Sequence, residues 1–207
     1  MKEIARMVGV SLSSVSLLVR DIELTPDAKA ALHRRNPARN GEIVRAANLA
    51  RARQRRKVWQ DAGREHARCG DPLHHAGCML YWAEGSKSRT AIQFCNSDPA
   101  MVALFVEFLR NCFQVPEALI GVRAHLYADH TADQERIEQF WLDAARLPQS
   151  CLRRSIVNRV SKSSKGKRIG RLPYGTCRIT LHRAAIVQSI YGAIQEYGDF
   201  ERPEWLG

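Results

Sequence analysis

Residues 71–85 constrain what this chain can fold into more than any other stretch, because both ends of one short helix are written there. Asp71 followed by Pro72 predicts an N-cap with proline in the first turn, and Gly85 predicts a left-handed glycine that stops the helix. At about 100° per residue, Leu73, Ala76, Gly77, Leu80 and Glu84 fall on one face, so an otherwise apolar face is expected to carry a single carboxylate in its last turn. A carboxylate buried there needs a partner or a metal. One reading is a core helix with Glu84 paired to a lysine or arginine; the other is a functional acid. The negative end of the helix favours a cation beside Glu84, and Gly77 is expected to let another backbone come close.

Charge narrows the class of partner. The 207 residues carry 32 lysines and arginines against 21 acids, a formal +11. The excess is uneven: residues 1–70 hold 15 basic and 7 acidic side chains, and residues 150–183 hold 10 basic and no acidic ones. Two basic regions around a more acidic middle predict surfaces for a polyanion, with nucleic acid first among them. A module with no nucleic-acid partner fits this balance poorly. No run of about 18 apolar residues is present and the N-terminus lacks a charged-then-apolar pattern, so a cytoplasmic protein with no membrane partner is expected. Six scattered cysteines without a CxxC pair predict reduced, buried thiols. Cys69, His74, His75 and Cys78, near His66, match no common zinc spacing, and a zinc site is not expected.

Along the chain, residues 2–8 predict a short helix, Gly9 a turn, and residues 11–20 a serine-capped helix. This is helix-turn-helix spacing, which would put Ser13, Ser14, Ser16 and Arg20 at the major groove. A complete unit normally has a supporting helix ahead of the position of Lys2, so either the chain starts late or the unit is incomplete. Residues 25–35 predict a further helix. From 41 to 68 a long helical run carries Arg45, Arg51, Arg53, Arg55, Arg56, Lys57, Arg64 and Arg68; it reads either as a connecting helix lying across phosphates or as a solvated linker. Strands are expected at 89–95 and 121–128, the second alternating Val122, Ala124 and Leu126 with Arg123, His125 and Tyr127. Two more are expected at 152–160 and 174–183. Helices are expected at 99–113, from a capping box at residues 131–134 to Pro148, and at 184–197.

Between the last two strands lies a polar, densely basic stretch with Lys162, Lys165, Lys167, Arg168 and Arg171. It is expected to meet phosphates, with Arg153, Asn158, Arg178 and His182 on the adjoining strands facing bases or backbone. The summed order predicts an α+β fold: a small antiparallel sheet with helices on one side over residues 71–207, preceded by an all-α helix-turn-helix segment at 1–36 and a long basic helical linker at 37–70.

With Ala83-Glu84-Gly85 at its end, the 77–85 stretch resembles the signature helix of the LAGLIDADG homing-endonuclease family. Counted back from Gly85, Gly77 takes the first position, Leu80 the fourth, Ala83 the seventh and Glu84 that of the catalytic acid. The acid is Glu where the family usually has Asp, Met79 stands where a small residue is common, and Trp82 replaces the first Asp; these departures touch cleavage more than fold. Residues 80–87, 96–99 and 172–178 resemble the type of member that begins with a helix-turn-helix, and residues 2–20 resemble the start of resolvase-like and regulator proteins. The resemblance implies a homodimer in which Gly77, Leu80 and Ala83 meet their mates across a two-fold axis, over double-stranded DNA. Two functions follow. One is a site-specific DNA-binding regulator with no cofactor. The other is a homodimeric endonuclease in which Glu84 from each copy holds Mg²⁺ at the scissile phosphates and Lys87 supports phosphate or water. The helix-turn-helix and the lengthened acid favour the regulator.

Overall fold

The computed structural model describes residues 2–20, 22–34, 37–158 and 172–207. Helices begin where short polar side chains cap free backbone N–H groups. Ser11 accepts from the Ser14 N–H at 3.1 Å, Asp71 from Leu73 at 2.9 Å and Asp98 from Ala100 at 2.8 Å, with Pro72 and Pro99 in the first turns behind them. The chain forms two units, Met1–Arg51 and Ala52–Gly207.

In the first unit α1 (Lys2–Val8) and α2 (Leu12–Leu18) are joined through Gly9, whose φ of +68° is a backbone state glycine adopts without strain. The Val10 N–H returns to the Ala5 carbonyl at 3.2 Å, and Ala5 and Val15 are the buried residues of the pair. Next come α3 (Pro26–Arg34) and the first part of α4 (Pro37–Arg68).

The second unit holds the rest of α4, then α5 (Pro72–Glu84), β1 (Ile92–Asn96), α6 (Pro99–Phe113), β2 (Gly121–Tyr127), α7 (Gln134–Ala145), β3 (Ile156–Asn158), β4 (Thr176–Leu181) and α8 (Ala184–Tyr197). The architecture is α+β, with sheet order β1-β4-β2-β3. β4 runs antiparallel to both β1 and β2, but β3 pairs parallel to β2. The expected all-antiparallel sheet is therefore corrected to a mixed one. The reason is α7: a helical crossover brings the chain back to start β3 in the direction of β2, which a hairpin cannot do.

Alternate residues of the strands, among them Ile92, Phe94, Val122, Ala124, Ile179 and Leu181, are fully or nearly fully buried, and the helices pack on that face. Phe94 stacks on Phe105 of α6 at 4.3 Å between centroids, and Tyr81 of α5 lies 5.8 Å from the same ring.

A second correction concerns the expected linker at 37–70. From Ala52 onward α4 belongs to the α+β unit. Gln60, Gly63 and Ala67, spaced as one helix face, are buried. Gln60 Nε2 donates to Gln188 at 2.8 Å, and Gln195 Nε2 donates to Gln60 at 3.1 Å. A β-carbon on Gly63 would overlap the Ser189 carbonyl, and one on Gly192 the Gln60 carbonyl, so α4 and α8 cross with their backbones in contact. The charge run describes only the wet side of this helix; the narrow packing strip is hidden among the arginines. No helix among the described residues is long and apolar enough to cross a membrane.

Candidate nucleic-acid interface

The sheet face opposite the helices is lined by polar, partly exposed residues that alternate with the core positions. Register brings its charges together. Arg123 on β2 is the direct partner of Arg178 on β4, and Cys95 on β1 flanks Arg178 on the other side. His125 follows Arg123 on the same face, opposite Thr176 on β4 and Ile156 on β3. No acid occupies this face among the described residues of the four strands. Arg123 Nε and His125 Nε2 are shielded from solvent and lack a hydrogen-bond partner among the described residues. Burial, then Arg178 and Arg123, holds the His125 pKa below the usual imidazole value.

Gly121 makes room for Thr180 and Arg153 at one end of this face. A β-carbon there would crowd Thr180 Oγ1 at 2.5 Å and the Arg153 stem at 3.3 Å. Arg153 is exposed and its guanidinium donates to the Ser150 carbonyl at 2.8 Å. Of the expected strand residues, Arg178 thus lies in the basic row, Arg153 beside it, and exposed His182 just past the end of β4. Asn158 is the partner of Tyr127 in β3, and its side chain lies outside the described residues. Lys162, Lys165, Lys167, Arg168 and Arg171 also lie outside them. Arg123 and His125 are absent from the sequence-derived set of DNA contacts. The period-2 alternation of β2 was the available signal; their juxtaposition with Arg178 depends on a register no local pattern encodes.

α5 ends at the edge of the same sheet, where Gly85 bridges to Phe94 and the Ser86 N–H donates to the Gln93 carbonyl at 2.8 Å. Its orientation corrects several expectations. The buried face is His74, Gly77, Cys78 and Tyr81, whereas Leu73, Ala76 and Leu80 are half-buried and Ala83 and Glu84 exposed. Glu84 is solvated and needs no buried partner. Gly77 is not free for a second copy, because a β-carbon there would overlap the Phe108 ring of its own core. Gly85 has φ of −79°, not a left-handed angle; glycine is needed because a β-carbon would collide with Tyr81. Lys87 Nζ donates to the Trp82 carbonyl at 2.7 Å and so caps the helix instead of reaching outward, and burial lowers its pKa.

Among the described residues no three His, Cys, Asp or Glu side chains converge to hold a metal, and Glu84 stands by itself.

In the first unit Ser13, Ser16 and Arg20 are exposed, while the half-buried Ser14 hydroxyl lies 2.8 Å from Ser11 Oγ. On α4, Arg55 is exposed, but Arg56 donates to the Leu206 carbonyl at 3.0 Å and ties down the C-terminal segment. Arg64 and Arg68 pair with Glu201 and Glu196 at 2.7 Å. All three arginines are thus engaged within the chain. All six cysteines are free; Cys78, Cys151 and Cys177 are buried as expected, and Cys69 is exposed. His74 stacks on His66 at 3.9 Å and its Nδ1 is 2.8 Å from the Tyr197 hydroxyl, so the histidines of the 66–78 cluster take part in packing and hydrogen bonding. No family model, curated protein or solved structure matches this chain.

Proposed function

We propose that this chain is a site-specific double-stranded DNA-binding protein, a cytoplasmic regulator that acts as a homodimer and reads DNA with a helix-turn-helix and with the open face of a LAGLIDADG-like sheet. The observation that carries the reading is the Arg123–Arg178 pair. Two guanidiniums placed in direct register with no acid on their face cost stability, and a phosphate backbone is the ligand that offsets that cost. The helix-turn-helix unit supports the same partner with exposed Ser13, Ser16 and Arg20 on and just after a short second helix. Leu73, Ala76, Leu80 and Ala83 form the side of α5 that its own core leaves partly uncovered, and this is the strip assigned to the second copy.

The test is selection of bound duplexes from a random pool in Ca²⁺, followed by transfer of the enriched duplexes to Mg²⁺ and mapping of any ends. An enriched two-fold site that stays intact is the expected result. Defined cuts that disappear in Glu84→Gln would replace the regulator with an endonuclease, and failure to enrich any duplex would end the DNA reading.

A further inference from the structure

His125 lies on the polar sheet face beside two guanidiniums, those of Arg123 and Arg178. On its own strand it is flanked by Arg123 and Tyr127. Across β4 it faces Thr176, with Arg178 one side-chain row away, and across β3 it faces Ile156. Cys95 of β1 lies beyond Arg178, and Arg153 leans on Gly121 and Thr180. His130, just past β2, is engaged through Nδ1 with the Tyr127 N–H at 3.3 Å. Among the described residues the four strands thus supply cations and neutral groups around it and no carboxylate. The Nε2 atom of His125 is shielded from solvent and has no hydrogen-bond partner among the described residues.

A third positive charge beside two guanidiniums is disfavoured, so burial and these neighbours lower the proton affinity of this imidazole in the free protein. A phosphodiester seated against Arg123 and Arg178 reverses the balance. It offsets their charge, and that through-space change favours the charged imidazole. We propose that His125 couples duplex binding to proton uptake: neutral in the free protein, it becomes imidazolium when a DNA phosphate occupies the Arg123–Arg178 row. This rests on the DNA-binding reading above.

The sign follows from linkage. Burial and the two arginines lower the pKa of the free state, and the bound phosphate raises it. Between those two values binding takes up a proton, so affinity falls as pH rises, by up to about tenfold per pH unit for a single group. Outside that window the profile is flat.

The experiment is calorimetric titration of the full-length chain with a mixed-sequence duplex at several pH values around neutrality, in buffers of different ionisation enthalpy. Uptake of one proton that is lost in His125→Gln and kept in His75→Gln, on the far α5 helix, is expected. Binding without proton uptake, or uptake that persists in His125→Gln, overturns the coupling and leaves the DNA reading standing; no binding at any pH overturns both. Should His125→Gln misfold, NMR titration of the wild-type imidazole decides: a pKa no higher with duplex than without it overturns the coupling.

Discussion

Arg123 and Arg178 face each other across β2 and β4, and like charges in that register destabilise a sheet by roughly 0.2–1 kcal/mol. Arg178→Thr should therefore raise the thermal midpoint slightly at low salt and leave it unchanged at high salt, where screening already removes the repulsion. The same change should weaken duplex binding and reduce the slope of log affinity against log salt by about 1. Fluorescence anisotropy across a salt series checks this; an unchanged slope would take Arg178 out of the interface. His74 belongs to a different economy. Fully buried between His66 and Tyr197, its pKa is pushed down to about 4, by burial first and by His66 next, with Asp71 acting the other way. The unfolded chain protonates this imidazole near pH 6.5, above the folded value. Its contribution to stability is thus complete above about pH 6.5, declines as pH falls towards about 4, and is lost below that. Thermal melts from neutral to acid pH should show that decline, and His74→Gln should flatten it.

At the scale of elements, helix α4 is one continuous segment with two kinds of glycine. Gly41 has nothing within reach of an added β-carbon, whereas Gly63 is pressed against the Ser189 carbonyl of α8. Alanine at Gly41 should stabilise its helix by up to about 1 kcal/mol. At Gly63 the obstacle is backbone, which cannot rotate away, so alanine should cost about 1–3 kcal/mol despite its better helix propensity. Urea denaturation of the two variants should order them on opposite sides of the wild type. Glycine in α5 follows the second pattern, since Gly77 makes room for Phe108 and not for another chain. That contact explains why α5 turns His74, Gly77, Cys78 and Tyr81 inward and leaves Ala83 and Glu84 in water.

On the scale of the whole molecule, the α+β unit leaves two surfaces incompletely used: the basic sheet face and the Leu73, Ala76, Leu80 and Ala83 side of α5. The proposed dimer covers the second so that two copies of the first are presented to one duplex. Ala83 is exposed, so Ala83→Arg should leave the circular dichroism spectrum of the monomer intact while blocking close approach of a second α5. Sedimentation velocity should then show a shift from dimer to monomer, and affinity for a two-fold site should drop. A dimer that persists at wild-type strength would place the interface elsewhere.

What the sequence by itself determined is what depends on neighbours a few residues away. Asp71-Pro72 and Asp98-Pro99 start helices because the capping oxygen and the N–H it satisfies lie two residues apart. β2 shows its two faces because side chains alternate along a strand. The α+β class follows from the order of such elements. Tertiary structure decided the rest, where the partners are distant in the chain. β3 runs parallel because α7 carries it across the sheet, and Arg56 bonds a carbonyl 150 residues away. Glu84 is exposed because the core takes the adjacent side of α5. Arg123, His125 and Arg178 form one site only because strand register sets β2 beside β4, and register is fixed by the packing of the whole buried face.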